Sequence, residues 1–293
     1  MDKPSRLMGN PALILLRGGG DLATGVALRL HRAGLKVVIT ELEEPLAVRR
    51  AVSFAEAVYE GVHTVENITA RYVKPEQISV ALDSNEIPVL IDPDANILLS
   101  HLPSHSLRSG TLWRAVPGSF FFAAVIDARL IKTPPHPLPV HVPLPIGLGP
   151  GFHAGVNCQA VIETRRSHTL GRVYWQGTTQ PDSGQPEGDP RRVLRAAADG
   201  ALVSSAKIGE HVEEGQVVAV VGDQHPVVSP LKGLLRGLIR DGVHVTKGLK
   251  IGDVDPRDDA DACYLVSDKA LAIGGAALEA ILTREEIRKS LWQ

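Results

Sequence analysis

The chain has 293 residues and a formal net charge of −2, so it is long enough for two domains and has no basic run of the kind that binds nucleic acid. Its 2 cysteines, Cys158 and Cys263, lie far apart in the sequence, which argues against a disulfide framework and suits a reducing cytoplasm. The apolar run 12–16 near the N-terminus is too short for a signal peptide or a membrane span, so we expect a soluble, cytoplasmic protein with no membrane partner.

The first predicted unit, over residues 13–41, is a buried strand, a glycine turn, an amphipathic helix and a second strand. Within it, Gly18, Gly20 and Ala23 match the G-x-G-x-x-A fingerprint, in which a pyrophosphate approaches backbone N–H groups at the start of the helix. Glu41 ends the second strand, where a carboxylate can accept hydrogen bonds from ribose hydroxyls. The alternative is a tight turn without a ligand. The predicted cofactor-binding residues are Gly18, Gly19, Gly20, Asp21, Leu22, Ala23, Glu41 and Arg49.

Two of these residues carry charges that bear on the phosphate site. Asp21 would repel a bare phosphate, so it either caps the helix or meets a divalent ion that accompanies the phosphates. A further helix is predicted from Pro45 onward, and Arg49 near its start is placed to clamp a second phosphate or a carboxylate. The alternative for Arg49 is an ion pair with a neighbouring glutamate.

Two later apolar runs, 89–91 and 120–126, end in Asp92 and Asp127. In open α/β sheets ligands bind outside the carboxyl ends of the strands, so these acids are further site candidates. The catalytic residues stay unknown, with Asp21, Asp92 and Asp127 as candidates for proton transfer or ion binding; the alternative is that they order the following loops. No metal site is predicted.

Three regions are expected along the chain. Residues 1–132 form a Rossmann-like nucleotide-binding domain with a parallel sheet, 133–155 a Pro/Gly-rich connection and loop, and 156–293 a β-rich domain. Within the last region, 196–257 contains an internal repeat at a constant offset, as between Gly200 and Gly233 (233 − 200 = 33). The predicted C-terminal helix spans 267–289, with Ser267 as its cap and Gly274 next to Gly275 for close packing, so that it covers the N-terminal sheet.

The repeated half-motifs resemble the biotinyl/lipoyl type of barrel-sandwich hybrid. The carrier proteins of that class hold a lysine on the hairpin between the halves, whereas the hairpin 221–226 has none. We therefore expect no biotin or lipoyl attachment. A structural or docking module is predicted instead. The expected fold class is thus α/β: a Rossmann-like domain followed by a β-rich part with a duplicated barrel-sandwich-hybrid module and a C-terminal helix.

Nearly the whole chain resembles one family. The matching stretches are 16–27, 40–50, 145–152, 168–173, 247–257 and 267–282. They are similar to the YqeB-type family, the accessory proteins of selenium-dependent molybdenum hydroxylase systems. The resemblance implies a cytoplasmic maturation or cofactor-insertion role, with a molybdenum hydroxylase or its maturation proteins as partners. It implies no catalytic residue.

The leading hypothesis is therefore an accessory protein that binds NAD(P) or a molybdopterin dinucleotide at the glycine turn, and whether it is an enzyme is left open. One alternative is an NAD(P)-dependent oxidoreductase acting on a small molecule. Another is a non-catalytic scaffold that docks a client molybdoenzyme. Homo-oligomer formation, and whether Cys158 or Cys263 carries sulfur or selenium, are also left open.

Overall fold

The computed structural model of this chain describes residues 12–100, 120–184, 188–222 and 224–291. Within these residues, nine strands form one large sheet. Its strands are β1 (Leu13–Arg17), β2 (Lys36–Glu41), β3 (Val62–Val65), β4 (Ile68–Tyr72), β5 (Ile87–Ile91), β6 (Phe122–Asp127), β7 (Leu144–Leu148), β9 (Ala160–Ile162) and β10 (Val173–Tyr174). Their order across the sheet is β10-β9-β7-β6-β1-β2-β5-β4-β3.

The large sheet is parallel in its centre and antiparallel at both edges. β1 pairs in parallel with β2 on one side and β6 on the other, and all five residues of β1 are buried. This is the pattern of a strand covered on both faces. At the two edges, β3 runs antiparallel to β4 and β10 antiparallel to β9. The carboxyl ends of the parallel strands therefore lie along one edge of a mixed sheet.

Helices from both ends of the chain cover one face of this sheet. The helices of the described residues are α1 (Asp21–Arg32), α2 (Ala57–Glu60), α3 (Ile78–Asp83), α4 (Asp268–Thr283) and α5 (Glu285–Ser290). The buried faces of α1 and α4 share one core with Ile14 and Leu16 of β1. α3 and the 3-10 helix Asn96–Ser100 pack with Leu15 on the opposite face, because successive side chains of a strand point to opposite sides.

The crossing of α1 and α4 depends on glycines. A Cβ on Gly274 would lie 2.5 Å from the carbonyl oxygen of Gly25, and one on Gly25 would lie 2.6 Å from the backbone of Ala270. Ser267 caps α4 by accepting a hydrogen bond from the Ala270 amide at 3.2 Å. The predicted cap is confirmed, and the predicted close packing is confirmed at Gly274, whereas a Cβ on Gly275 would meet nothing within 4 Å.

A second set of strands encloses its own core. Within the described residues, its strands are β12 (Val193–Arg195), β13 (Gly200–Ser204), β14 (His211–Val212), β15 (Val217–Val221), β16 (His225–Val228), β17 (Gly233–Leu238), β18 (His244–Val245) and β19 (Lys250–Asp255). They form two four-stranded sheets, in the orders β12-β19-β17-β14 and β16-β15-β13-β18. A further pair, β8 (His153–Ala154) and β11 (Gly177–Thr178), lies outside these two sheets. The start of β17 repeats the start of β13 at the predicted offset, so the internal repeat is also seen in the strands.

The predicted fold class, a Rossmann-like domain followed by a β-rich part with a barrel-sandwich-hybrid module, is wrong. The structure is a mixed α/β fold whose large sheet continues past residue 132: β7 lies inside the predicted connection and pairs with β6, while β9 and β10 extend the sheet further. The prolines of this stretch indicated a connection, but Pro145 lies within β7 beside Val125, and its carbonyl accepts a hydrogen bond from the Gln159 amide.

Candidate functional site

The residues predicted for the site lie along the carboxyl edge of the parallel strands. Arg17 ends β1, Glu41 ends β2, Asp92 follows β5 and Asp127 ends β6. Because parallel strands end at a common edge, this is where an α/β sheet presents side chains to a ligand. The contacts of each residue decide which of them stay available.

The glycine turn between β1 and α1 already binds a carboxylate of the protein. The Gly19 amide donates a 2.6 Å hydrogen bond to Glu41 Oε2, and the Leu42 amide donates one of 2.8 Å to Oε1. Burial raises the pKa of Glu41, and the two amide hydrogen bonds offset part of that rise. Glu41, predicted to bind ribose, thus takes the position at Gly19 that the fingerprint gives to a phosphate.

A short segment closes over the same turn. Instead of the predicted helix from Pro45, the chain forms 3-10 helices Arg50–Val52 and Phe54–Glu56 before α2. The Ala55 amide donates to the Gly19 carbonyl at 2.9 Å, and a Cβ on Gly19 would lie 2.9 Å from the Ala55 nitrogen. Leu22 and Ala23 are buried beneath the turn. Gly18, at φ +94°, completes the turn by donating to Thr40.

The N-terminus of α1 itself stays accessible at Gly20. No side chain of the described residues caps the first turn of α1, and a Cβ on Gly20 would meet nothing within 4 Å. Unpaired N–H groups at a helix N-terminus favour an anion. Asp21, in that first turn, is partly exposed, with its Oδ2 atom 3.9 Å from Arg49 Nη1.

Arg49 connects the glycine turn to the C-terminal part of the chain. Its side chain is buried, and Nη2 donates to the carbonyls of Ala262 at 2.8 Å and Leu265 at 3.1 Å. Burial lowers the pKa of Arg49, and the neighbouring Asp21 raises it. Arg49 therefore contacts Asp21 and two backbone carbonyls. Among the described residues, its carboxylate partner is Asp21 and not a neighbouring glutamate.

Asp127 is held by two arginines. Arg129 donates from Nε to Oδ1 at 2.9 Å and from Nη2 to Oδ2 at 2.6 Å, while Arg17 Nη1 lies 3.5 Å from Oδ2. Arg17 is buried and also donates to the Pro93 carbonyl at 3.0 Å. Burial and the nearby Arg129 lower the pKa of Arg17. Both oxygens of Asp127 are thus engaged in positioning guanidinium groups.

Asp92 orders the loop that follows β5. It accepts hydrogen bonds from the amides of Asn96 and Ile97, both at 2.8 Å. This matches the alternative reading of Asp92 as a loop-ordering residue. Among the described residues, no hydrogen bond or ion pair joins any two of the candidate catalytic acids Asp21, Asp92 and Asp127.

The sequence did not reveal a cavity of about 390 Å³ beside Asp92, at the carboxyl ends of β4 and β5. Its volume lies in the range of small-molecule pockets. The available sequence signal was that Ile91 and Tyr72, both large and apolar, end their strands next to polar loops.

The cysteines are buried, and no metal cluster forms in the part of the chain that is described. Burial raises the pKa of Cys158 to about 11 and also raises that of Cys263, so both are thiols rather than thiolates at neutral pH.

The described residues contain no group of three or more His, Cys, Asp or Glu side chains placed to hold a metal ion. Their helices also include none with the length and apolar character needed to cross a membrane.

Comparison with known proteins gives similarity without a function. No protein-family model matches the chain. One solved structure that it resembles is an aspartoacylase family protein from Mesorhizobium loti, with 13% sequence identity and a TM-score of 0.27 over 86% of this chain and 87% of that chain. Another is a succinylglutamate desuccinylase/aspartoacylase from Rhodobacter sphaeroides, with 16% identity and a TM-score of 0.25 over 86% of this chain and 87% of that chain. TM-scores this low carry no argument about fold or function.

A curated relative gives a much stronger match in sequence. The chain is 42% identical over 287 residues to the uncharacterized protein YqeB of Escherichia coli (strain K12), an alignment that covers 96% of this chain and 49% of that protein. The chain thus spans about half the length of this relative. Across nearly all of its own length, the chain is similar to YqeB of Escherichia coli, whose name states no function.

Proposed function

We propose that this chain is a cytoplasmic accessory protein in the maturation of a selenium-dependent molybdenum hydroxylase, and that it binds a dinucleotide at the first turn of α1. The ligand is NAD(P) or a molybdopterin dinucleotide, since both present a pyrophosphate. The dinucleotide part of the proposal is carried by the uncapped N-terminus of α1, which is open to space at Gly20, and the maturation role is supported by the resemblance of the sequence to the accessory family.

The proposed phosphate position offers fewer backbone amides than the fingerprint suggests. Because the Gly19 amide already donates to Glu41, the amides from Gly20 onward are those left to bind the phosphates. Positive charge lies near this position, since Arg49 and Lys250 both interact electrostatically with Asp21. These cations offset the charge of Asp21, which would otherwise repel the ligand.

The binding test uses the purified full chain titrated with NAD⁺ and NADP⁺, alongside native mass spectrometry of what copurifies with it. Gly20→Val adds a side chain at the open amides, where its Cβ would meet no protein atom within 4 Å, so it should weaken dinucleotide binding at least about tenfold. Gly275→Ala, whose Cβ also meets nothing within 4 Å, is the control and should leave binding unchanged. Binding that survives Gly20→Val would overturn the proposed position.

Replacing Glu41 separates two ways of binding. If the carboxylate lies beside the phosphates, as its contact with Gly19 suggests, Glu41→Gln removes a like charge and strengthens binding about two- to fivefold. If Glu41 leaves Gly19 to hold the ribose, the same change weakens binding. A change in dinucleotide affinity in either direction would place the ligand at this turn, whereas an unchanged affinity would place it elsewhere.

The occupied Gly19 amide favours a second candidate function. Since Glu41 satisfies the turn without a ligand, the same structure suits a non-catalytic scaffold that docks a client molybdoenzyme. Co-sedimentation of the purified chain with a purified molybdenum hydroxylase tests this function. Binding that is equal for the wild type and Gly20→Val, without any bound dinucleotide, would favour the scaffold.

A further inference from the structure

The cavity of about 390 Å³ lies on the sheet face opposite α1. Its floor includes Val73 and Leu90, which belong to the core cluster of that opposite face, whereas α1 packs against the other cluster. The cavity lies at the carboxyl ends of β4 and β5, at the edge where α/β sheets bind ligands. Because it is on the face opposite α1, it is separate from the proposed dinucleotide position at the glycine turn.

Apolar side chains form most of the cavity. Val73, Leu90 and Ile97 are buried in its floor. Tyr72 and Ile91 also line it and are each 37% exposed, although the other four residues of β5 are buried. Small-molecule pockets are lined mostly by apolar and aromatic side chains. This lining therefore favours a ligand with an apolar body.

The polar groups of the wall are mostly bound to the protein. Asp92 accepts from the Asn96 and Ile97 amides, and the Ser100 hydroxyl donates to the Ile97 carbonyl at 2.6 Å. The amides at the start of the 3-10 helix thus compensate the charge of Asp92. Lys74 also lines the cavity, and its ammonium group has no ion-pair partner among the described residues.

We propose that this cavity is a small-molecule site for an apolar ligand that carries one anionic group, with the apolar body on Val73, Leu90 and Ile97 and the anion at Lys74. The proposal is independent of dinucleotide binding because it uses other residues on the other face of the sheet.

Two fluorescent probes that share one ring system test the two parts of the site. Anilinonaphthalene sulfonate carries an anionic group, whereas phenylnaphthylamine lacks it. The wild-type full chain should bind both probes, and the anionic probe more tightly. Lys74→Met should weaken binding of the anionic probe about two- to fivefold, the range of an exposed ion pair, and leave the neutral probe unchanged. Lys207→Met, an exposed lysine that does not line the cavity, is the control for charge and should change neither affinity.

A blocking variant locates the probes. Ile91→Trp, at the accessible end of β5, should remove binding of both probes while dinucleotide binding at the glycine turn stays as in the wild type. If Ile91→Trp does not fold, Ser100→Trp takes its place, since Ser100 also lines the cavity. The proposal is overturned if the wild type binds neither probe, if a folded blocking variant still binds both, or if Lys74→Met weakens the two probes equally.

Discussion

Gly274 and Gly275 are neighbours in α4 whose replacement by alanine should have clearly different effects on stability. A Cβ on Gly274 would lie 2.5 Å from the Gly25 carbonyl oxygen and 2.8 Å from Arg29 Cγ, so α1 or α4 must move to make room. A Cβ on Gly275 would meet nothing within 4 Å. The two changes are chemically identical and occur in the same helix.

The magnitude follows from two contributions. Alanine is preferred over glycine in a helix interior by about 1 kcal/mol, and this gain applies to both positions. Overpacking a close contact costs typically about 1–3 kcal/mol, and this cost applies to Gly274→Ala alone because its neighbour is backbone. Gly275→Ala should therefore raise the free energy of unfolding by about 1 kcal/mol, and the two variants should differ by about 1–3 kcal/mol.

Urea unfolding followed by circular dichroism measures both free energies, with the slope on denaturant checked for each variant. The difference between the variants cancels the helix preference and isolates the crossing of α1 and α4. If both variants are stabilised to the same extent, the two helices do not approach as closely as the structure has them, and the explanation for the paired glycines fails.

Two further predictions concern ionisation. The Arg257 side chain and Arg236 hold the pKa of the buried Asp255 at about 2, below its unfolded value, so its stabilisation is present above about pH 4 and is lost as pH falls toward 2. The difference in unfolding free energy between the wild type and Asp255→Asn should shrink by about 2 kcal/mol from about pH 6 to pH 2; a difference independent of pH would contradict this pairing. Burial raises the pKa of Cys158 to about 11 and also raises that of Cys263, so neither should react quickly with dithionitrobenzoate at neutral pH, while both should react in denaturant; a fast native thiol would contradict this and favour a sulfur- or selenium-carrying role.

Local sequence signals were enough for the elements that depend on neighbouring residues. The strand, turn, helix and strand of 13–41 appear as β1, α1 and β2, because apolar periodicity and glycines act within a few residues. Ser267 caps α4 for the same reason. The adjacent glycines also indicated close packing, because glycine is costly in a helix interior, and Gly274 has such a close neighbour whereas Gly275 does not.

Contacts between distant parts of the chain decided the rest. Ala55 closes over Gly19 although many residues separate them, and Arg49 donates to the carbonyl of Ala262 near the other end of the chain. Neither contact leaves a periodic signal in the sequence. Pro145 was expected in a connection because it belongs to a proline-rich stretch, yet the strands beside β7 provide a place for it inside the sheet.

The central claim is that the first turn of α1 binds phosphates. Its most direct test is a titration of the nitrogen-15-labelled protein with inorganic pyrophosphate, monitored through the backbone amide signals by nuclear magnetic resonance. If the first turn of α1 receives the phosphates, the amide signals of Gly20, Asp21 and Leu22 should shift together and saturate, and Gly20→Val should abolish the effect. If these signals stay in place while pyrophosphate binds, or if pyrophosphate does not bind at all, the α1 N-terminus is not a phosphate site.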